Sequence, residues 1–498
     1  MGIPFWYHVT YRPVSKYSIP IPKEQHSIMD DKTRNRVLLV LFLGVLMGAL
    51  DIAIVSPALT PIQAYFGVDD RAKSWIFTIY VLFNLIGTPL MAKLSDIFGR
   101  RLVYILDISM FAIGSLVVAL SPQNLFPVLL VGRALQGFGA GGVFPVASAV
   151  IGDSFPPEKR GGALGLIGAV FGLAFLVGPI LGGIIMTFTV WQWLFIINLP
   201  IAAIVIGLGL RLLPTSHTET RYRFDWAGML VLGVLLTALA FSLNQIDTQN
   251  FFESLISLNV WPFLVLAVVL TILFPIIERR AEDPILRIQL FTSRQSVLAS
   301  ALAAGAGLGE VGMVFIPSLA VAAMPTIINK HTASYLLMPV VLAMAIGSPL
   351  VGRWMDKLGS KVVVFAGSIL TAIGMIMLSS RAVTSVLGLF ILAGAVIGFG
   401  LSALLGAPVR YIMLNEAPAS DRTAAQGAIT LFTSIGQLTS SALVGAVAAS
   451  QGGGVKGYGS AYLVIGAIAV VLVVLTLGLK NRKEELATLQ TVQTSQPG

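Results

Sequence analysis

Long apolar stretches alternate with short polar connections along most of the chain. Runs such as Val37–Leu50 and Leu463–Leu479 are apolar on every side of a helix, whereas the strands of a membrane barrel alternate polar and apolar residues. A helix of about 20 mostly apolar residues crosses the hydrocarbon core of a bilayer. Windows of that length predict about fourteen membrane-spanning helices, which begin near Val37, Trp75, Leu102, Phe126, Gly161, Trp191, Trp226, Trp261, Ser296, Thr332, Val362, Val386, Ala424 and Ser460.

The distribution of basic residues predicts the side of the membrane on which each connection lies. With the N-terminus inside, 26 of the 32 Lys and Arg residues lie on the inner side, five lie on the outer side, and Arg133 lies within a span. Connections rich in Lys and Arg stay in the cytoplasm. We therefore expect a multi-pass protein of the cell (inner) membrane with both termini cytoplasmic. Membrane insertion then explains the net charge of +9 without an anionic partner.

The composition excludes several classes of protein. Hydrophobic residues make up 56% of the chain and charged residues only 11%, against about 25% charged residues in a soluble domain. Soluble enzymes, nucleic-acid-binding proteins and disordered scaffolds are therefore excluded. The chain has no cysteine, and its four histidines lie outside the predicted spans (His8, His26, His217 and His331). We accordingly expect no metal, no cofactor and no catalytic centre in the membrane.

Two similar connections indicate an internal repeat. The one after the second span contains Asp96, Gly99, Arg100 and Arg101, and the one after the tenth span contains Gly352, Asp356, Lys357, Gly359 and Lys361. In each copy, a glycine three residues after the aspartate permits a tight turn, the carboxylate can face the positive end of a helix, and the basic residues lie near lipid headgroups. Transporters are often built from such repeats, with the substrate site where the halves meet.

These connections resemble motif A of the major facilitator superfamily, although the first copy has Ala92 and Ile97 where the motif has a glycine and a basic residue. Further resemblances follow in order along the chain. Arg133-Ala-Leu-Gln136-Gly137-Phe-Gly139 resembles motif B, and the segment with Gly178, Pro179, Gly182 and Gly183 resembles motif C, the antiporter motif. Three more segments are typical of the fourteen-span drug–proton antiporter branch, namely Leu50–Leu59, Trp191–Ile201 and Phe224–Trp226.

The resemblance implies an all-α integral membrane protein with the major facilitator fold, which has two pseudo-symmetric six-helix bundles and, in this branch, two inserted helices. The implied segments are a cytoplasmic leader (1–36), an N-terminal bundle (37–213), an inserted helix pair (226–278), a C-terminal bundle (296–479) and a cytoplasmic tail (480–498). In families with motif C, the kink at Pro179 is associated with export. The alternative is a generic packing motif, because small residues four apart, such as Gly178 and Gly182, let helices approach closely.

Few ionisable residues fall inside the predicted spans, where a charge is unfavourable enough to indicate a function. At 1.5 Å per residue, Asp51 lies about 21 Å above the inner face and Arg133 about 10 Å below the outer face. These depths coincide in a core about 30 Å thick, so Arg133 is expected to stabilise the Asp51 carboxylate. We favour a role for this pair in proton coupling, and helix packing alone is the alternative.

Glu310 is the counterpart of Asp51 in the second half of the chain. It precedes Asp356 by 46 residues, as Asp51 precedes Asp96 by 45. No basic residue in the second half corresponds to Arg133, and a buried carboxyl group without a cation is suited to carry a proton. We hypothesise that Asp51 and Glu310 share proton coupling, with Arg133 changing partner between them. Binding of a cationic substrate by Glu310 is an equal alternative.

Other polar residues of the spans suggest contacts with the substrate or between helices. Asp107 lies near the inner face, where we expect it to pair with an arginine of a connection such as Arg100. We assign Asn84 and Gln136, together with Glu310, to a candidate substrate cavity. Hydrogen bonding between helices is the alternative role of these two amides and the expected role of Asn198.

Together, these observations predict a proton-coupled antiporter that exports amphipathic or hydrophobic small molecules by alternating access, and not an enzyme. No nucleotide-binding motif is present, so the energy is expected from an ion gradient. The expected partners are a small-molecule or lipid-like substrate, protons and the lipid bilayer, and we expect a monomer. Export of a lipid or lipid-like metabolite and import are the alternatives. Because the sequence shows no second buried Arg or Lys to hold an anion, and the predicted cavity walls are mostly apolar, polar sugars and phosphates are not expected as cargo.

Overall fold

The computed structural model describes residues 30–215, 225–329, 332–418 and 421–487, and all regular structure within these ranges is helical. The all-α prediction is therefore confirmed for the described part of the chain. The first 29 residues of the predicted leader, the four histidines and the tail beyond residue 487 lie outside the described residues.

The helices fall into three consecutive groups. The first half comprises α1 (Asp31–Phe66), α2 (Asp70–Phe98), α3 (Arg100–Ala119), α4 (Phe126–Ser154), α5 (Pro157–Phe188), α6 (Trp193–Ile196) and α7 (Asn198–Leu212). The inserted group comprises α8 (Trp226–Gln245), α9 (Phe251–Leu255) and α10 (Trp261–Glu278). The second half comprises α11 (Arg294–Val314), α12 (Ile316–Ala323), α13 (Met338–Leu358), α14 (Ser360–Ser379), α15 (Arg381–Thr384), α16 (Leu387–Leu404), α17 (Ala407–Glu416), α18 (Arg422–Ser450) and α19 (Gly454–Thr476). Short 3₁₀ helices lie at Ile288–Phe291 and Ala333–Leu337.

Fourteen helical segments of the described chain are long and apolar enough to cross a bilayer, as the sequence predicted. The first two begin earlier than the apolar windows indicate, because an acidic side chain caps each of them. Asp30 accepts a hydrogen bond from the Thr33 N–H (3.3 Å), and Asp69 accepts one from the Ala72 N–H (2.8 Å). The twelfth segment runs from Leu387 to Glu416 and is longer than predicted.

Helix packing is most extensive within each half. In the first half, α4 packs against α2 and α3, and α1 packs against α5. In the second half, α11 packs against α18, and α14 packs against α16 and α19. The main contact between the halves joins α2 to α18, and α8 packs against both of these helices. The inserted group therefore lies beside the seam between the two halves.

Hydrogen bonds join the halves at the end of the molecule opposite the motif A turns, which we call the closed end. Ser56 Oγ donates to the Val314 carbonyl at 2.5 Å, and Thr78 Oγ1 donates to Ser441 Oγ at 2.9 Å. Ser441 Oγ in turn donates to the Ser74 carbonyl at 3.0 Å. In the predicted orientation, the closed end faces the outside.

Candidate functional site

Asp51 and Arg133 form a buried ion pair inside the first half. Arg133 Nη1 donates to Asp51 Oδ2 at 2.6 Å. The side chain of Asp51 is 1% exposed and that of Arg133 is 0% exposed. The predicted pairing of these residues is therefore confirmed. Because neither group reaches solvent, each charge depends on the other for its stabilisation.

Neutral side chains complete the surroundings of the Asp51 carboxylate. Gln136 Nε2 and Asn198 Nδ2 both donate to Asp51 Oδ1, at 3.0 and 3.3 Å, and both also donate to Ser115 Oγ, at 2.7 and 3.3 Å. The two amides therefore connect helices. The sequence had assigned Gln136 to the substrate cavity, but its side chain is fully buried in this network. Asn84 is half-buried elsewhere on α2.

The Arg133 guanidinium is held from several sides. Its Nε donates to the Ile76 carbonyl at 3.0 Å. Its Cζ atom lies 4.3 Å from the Tyr80 ring centroid and 5.8 Å from that of Phe195. Such cation–π contacts stabilise a buried cation. Arg133 Nη2 and Tyr80 Oη have no hydrogen-bond partner among the described residues. The cluster thus contains hydrogen-bonding capacity that a rearrangement can use.

Glycines in and directly before motif B let the helix that carries Arg133 pack closely against its neighbours. A Cβ atom at Gly137 would overlap the Tyr80 carbonyl, and one at Gly132 would lie 2.7 Å from Val118 Cγ2. Small residues at these positions let α4 approach both α2 and α3. These glycines therefore allow close packing of the helices around the Arg133–Asp51 pair.

Glu310 lies half-buried on α11 and has polar neighbours on two other helices. Gln437 Nε2 on α18 donates to Glu310 Oε2 at 2.9 Å. Arg410 on α17 interacts electrostatically with Glu310. Arg410 is exposed and forms no ion pair with Glu310 among the described residues, and the sequence did not indicate that it lies near this carboxyl group. The cause is the length of the twelfth segment, whose last part contains Arg410 although the apolar window ends before it.

The environment of Asp107 also differs from the prediction. Its side chain is fully buried on α3, and neither carboxyl oxygen has a hydrogen-bond partner among the described residues. Arg100 pairs instead with Asp96 and Asp153. A Cβ atom at Gly142 would overlap the Asp107 carboxyl group, so the side chain occupies the space that this glycine leaves on α4. The sequence indicated the depth of Asp107 but not its direction around the helix.

The two motif A turns share the backbone geometry that the repeat predicts. Gly99 and Gly359 have φ angles of +93° and +87°, a region that favours glycine. In the first turn, Arg100 bridges Asp96 and Asp153, with a distance of 3.1 Å from its Nε to Asp153 Oδ2. This bridge ties the turn after α2 to the end of α4.

The second turn is held by the segment that follows α19. Arg482 Nη2 donates to the Asp356 carbonyl at 3.0 Å, and the buried Glu485 accepts from the backbone N–H and hydroxyl of Ser360. Lys361 Nζ donates to the Leu477 carbonyl at 2.8 Å. Of the other predicted turn residues, Arg101 and Gly352 are half-buried and Lys357 is exposed.

The motif C glycines lie where helices approach closely. A Cβ atom at Gly178 would overlap Ala53 on α1, and one at Gly182 would lie 2.7 Å from Pro57 Cγ. One at Gly183 would lie 2.8 Å from Ser334 Oγ, in the second half. Pro179 lies within α5 beside these positions. The motif therefore joins α5 both to the helix that carries Asp51 and to the opposite half.

A polar cluster that the sequence did not reveal links the halves at the closed end. Lys73 is 2% exposed, pairs with Asp70 at 2.7 Å, and donates to Gln63 Oε1 at 2.7 Å and to the Tyr458 hydroxyl. Tyr458 on α19 donates in turn to Asp70 Oδ1 at 2.6 Å. Lys73 belongs to the first turn of α2, and for that reason its position in the sequence suggested an outer connection.

Comparisons with known proteins agree with this architecture. The model of the Major Facilitator Superfamily matches residues 41–324 and 296–495. The chain is 32% identical over 417 residues to the uncharacterized MFS-type transporter YfiU of Bacillus subtilis, covering 82% of this chain and 79% of the relative. It is 34% identical over 345 residues to Multidrug resistance protein 3 of the same organism, covering 69% and 66%. The crystal structure of a D-xylose-proton symporter matches with a TM-score of 0.63 at 17% identity, covering 89% of this chain and 97% of that one, which is a likeness of fold.

Proposed function

The chain belongs to the Major Facilitator Superfamily, and from this premise we propose that it is a proton-coupled exporter of amphipathic or hydrophobic small molecules that works by alternating access. It is a multi-pass membrane transporter and not an enzyme. The name of the relative Multidrug resistance protein 3 supports the substrate class. We further propose that the protein acts as a monomer in the cell (inner) membrane, with both termini cytoplasmic.

The observation that carries this proposal is the ion pair of Asp51 and Arg133 at the centre of the first half. Asp51 lies on α1, five residues before Ser56, whose hydroxyl contacts the second half at the closed end. Arg133 is bonded to the carbonyl of Ile76 on α2, between two residues of that helix that also contact the second half, Ser74 and Thr78. The pair is therefore tied to both helices that close this end.

Protonation of Asp51 would change the forces on these helices. The neutral acid no longer balances the charge of Arg133, and an unpaired buried guanidinium is strongly unfavourable. The first half must then rearrange so that Arg133 gains another partner, and α1 and α2 move with it. Loosening of the closed end follows, because the contacts with the second half lie on the same two helices. In this way one proton biases the equilibrium between two conformations.

In this proposal the segments 37–213 and 296–479 tilt against each other, and the inserted pair at 226–278 lies beside the seam. Glu310 provides a second acidic group at the corresponding place in the second half. It is half-buried, with a single amide as its direct hydrogen-bond partner among the described residues, whereas Asp51 has three donors. Glu310 is therefore the more accessible of the two groups to protons or substrate.

Transport by everted membrane vesicles tests the function. A proton gradient should drive uptake of a fluorescent cationic dye by the wild-type protein, and uptake should stop when the gradient is collapsed. Asp51→Asn should abolish this proton-driven uptake but retain exchange of dye down its own gradient. Glu253→Gln, a change of an exposed carboxylate in the inserted group, is the matched control and should behave as wild type.

Three results would contradict the proposal. Proton-driven uptake that persists in Asp51→Asn would remove this residue from coupling. Transport that runs only in the opposite direction would indicate import. Transport of a fluorescent lipid but of neither a cationic nor a neutral dye would indicate lipid export.

A further inference from the structure

The second half contains an acid and a base that are hydrogen-bonded to different glutamines of one helix. Gln437 donates to Glu310 at 2.9 Å, and Arg410 Nη1 donates to Gln426 Oε1 at 3.0 Å. Glu310 and Arg410 interact electrostatically but do not form an ion pair. Opposite charges in a membrane span normally pair with each other. Here each charged group is hydrogen-bonded to a neutral amide, so each can still bind an oppositely charged group of a ligand.

These glutamines belong to a polar stripe along α18. Gln426, Thr430, Thr433 and Gln437 follow one another at intervals of four, three and four residues, which places them on one side of a helix. The two glutamines lie about 16 Å apart along the axis, at 1.5 Å per residue. One side of α18 thus presents hydrogen-bonding groups from the level of Glu310 to the level of Arg410.

Two observations lead us to infer that the stripe faces the space between the halves and not the lipid. Its residues are exposed or half-buried, and polar groups in membrane helices face the bundle interior or a water-filled cavity. Four residues beyond Gln437, on the same side of α18, Ser441 bonds to Thr78 of the first half at the closed end. The stripe therefore begins where the halves touch and continues toward the opposite end of the molecule.

We propose that this stripe is a substrate-binding surface for amphipathic zwitterions, with the ammonium group of the ligand toward Glu310 and its acidic group toward Arg410. The inference rests on the proposed transport function and narrows its substrate class. A guanidinium binds carboxylate, sulfonate or phosphate groups through charge-assisted hydrogen bonds. A ligand with both charges satisfies both ends of the stripe, whereas a simple cation leaves Arg410 without an anionic partner.

A matched pair of dyes tests this assignment. Rhodamine 110 carries a free carboxylate beside its cationic ring system, and rhodamine 123 is its methyl ester, which has only the positive charge. Fluorescence anisotropy of the purified protein in detergent gives the dissociation constant of each dye. Because this binding assay uses no proton gradient, its outcome is independent of whether export is proton-coupled.

Loss of the guanidinium should affect only the dye with the carboxylate. Arg410→Gln should weaken rhodamine 110 binding by about tenfold or more, the usual effect of one charge-assisted hydrogen bond, and should leave rhodamine 123 within about twofold. Arg410→Lys should retain part of the affinity for rhodamine 110, and Gln426→Ala should lose part of it, with little change for rhodamine 123. Arg279→Gln, at an exposed arginine that follows α10, should have no selective effect.

Equal losses for both dyes in Arg410→Gln would overturn the assignment, as would failure of the wild-type protein to bind rhodamine 110. If Arg410→Gln does not yield folded protein, Arg410→Lys and Gln426→Ala decide the question. If the ratio of the two dissociation constants in both of these variants equals that of the wild-type protein, the assignment is overturned. A weakening of rhodamine 110 binding without a matching weakening of rhodamine 123 binding would support it.

Discussion

Replacement of Asp51 by Asn removes one charge from an ion pair that solvent does not reach. The substitution keeps the size of the side chain, so its effect is electrostatic. Hydrogen-bond donors face both carboxylate oxygens: Arg133 donates to one oxygen, and the amides of Gln136 and Asn198 donate to the other. An asparagine has a single acceptor oxygen, and its own N–H groups would face one of these sets of donors.

The expected loss of stability is large. Removal of one partner from a buried ion pair destabilises a protein by about 3–5 kcal/mol, because the other charge remains without compensation. Removal of both charges avoids this penalty. Asp51→Asn/Arg133→Gln should therefore lose less stability than the sum of the two single variants, by about 2–3 kcal/mol.

Reversible unfolding in mixed detergent–SDS micelles measures the free energy of unfolding of the wild-type protein, both single variants and the double variant. If the double variant loses about 2–3 kcal/mol less than the sum of the two single variants, the two charges stabilise each other in the folded state. If the two single losses add within about 0.5 kcal/mol in the double variant, the reasoning from the buried pair is refuted.

Three further substitutions test other parts of the structure. Gly178→Ala should lower the free energy of unfolding by about 1–3 kcal/mol, because the added methyl group overlaps α1. Gly172→Ala is the control on the same helix and should not lower it, because no atom lies within 4 Å of a Cβ at that position. Equal effects of the two substitutions would contradict the close packing of motif C. Tyr458→Phe removes hydrogen bonds between the halves at the closed end. Hydrogen–deuterium exchange in the first turns of α2 should therefore become faster. An unchanged exchange rate would exclude a role of the Tyr458 hydroxyl in closure. Asp107→Asn replaces a buried carboxyl group whose oxygens have no hydrogen-bond partner among the described residues. It should therefore retain or raise stability, in contrast to Asp51→Asn. A loss of about 3 kcal/mol or more, as in a broken buried pair, would show that the carboxyl group has a partner.

The features that could be predicted from the sequence depend on depth in the membrane. Apolar runs fix the number and approximate positions of the spans, because a helix must satisfy its own backbone in lipid. Counting along two such helices was enough to predict that Asp51 and Arg133 meet. The spacing from each motif A turn likewise predicted Glu310 as the counterpart of Asp51 in the second half.

The features that were missed depend on rotation around a helix or on polar helix ends. Asp107 has the predicted depth, but the glycine at position 142 draws its side chain toward α4 and away from the arginines of the turn. Arg410 follows the point at which the apolar window ends, although the helical segment continues to Glu416. Lys73 lies in the first turn of α2, which the apolar window assigns to an outer connection. Hydropathy does not distinguish these positions from loop residues.

The central claim is that a proton on Asp51 biases the equilibrium between two arrangements of the halves. The natural chain has no cysteine, so spin labels can be placed on introduced cysteines alone. One pair at Ile97 and Leu358 reports on the motif A end, and a second pair at Gln123 and Lys456 reports on the closed end; all four positions are exposed. Distance distributions from pulsed electron resonance, measured across a pH series, should change in opposite senses at the two ends of the wild-type protein and should not respond to pH in Asp51→Asn. A variant that keeps the wild-type pH response, or ends that change independently, would contradict the account.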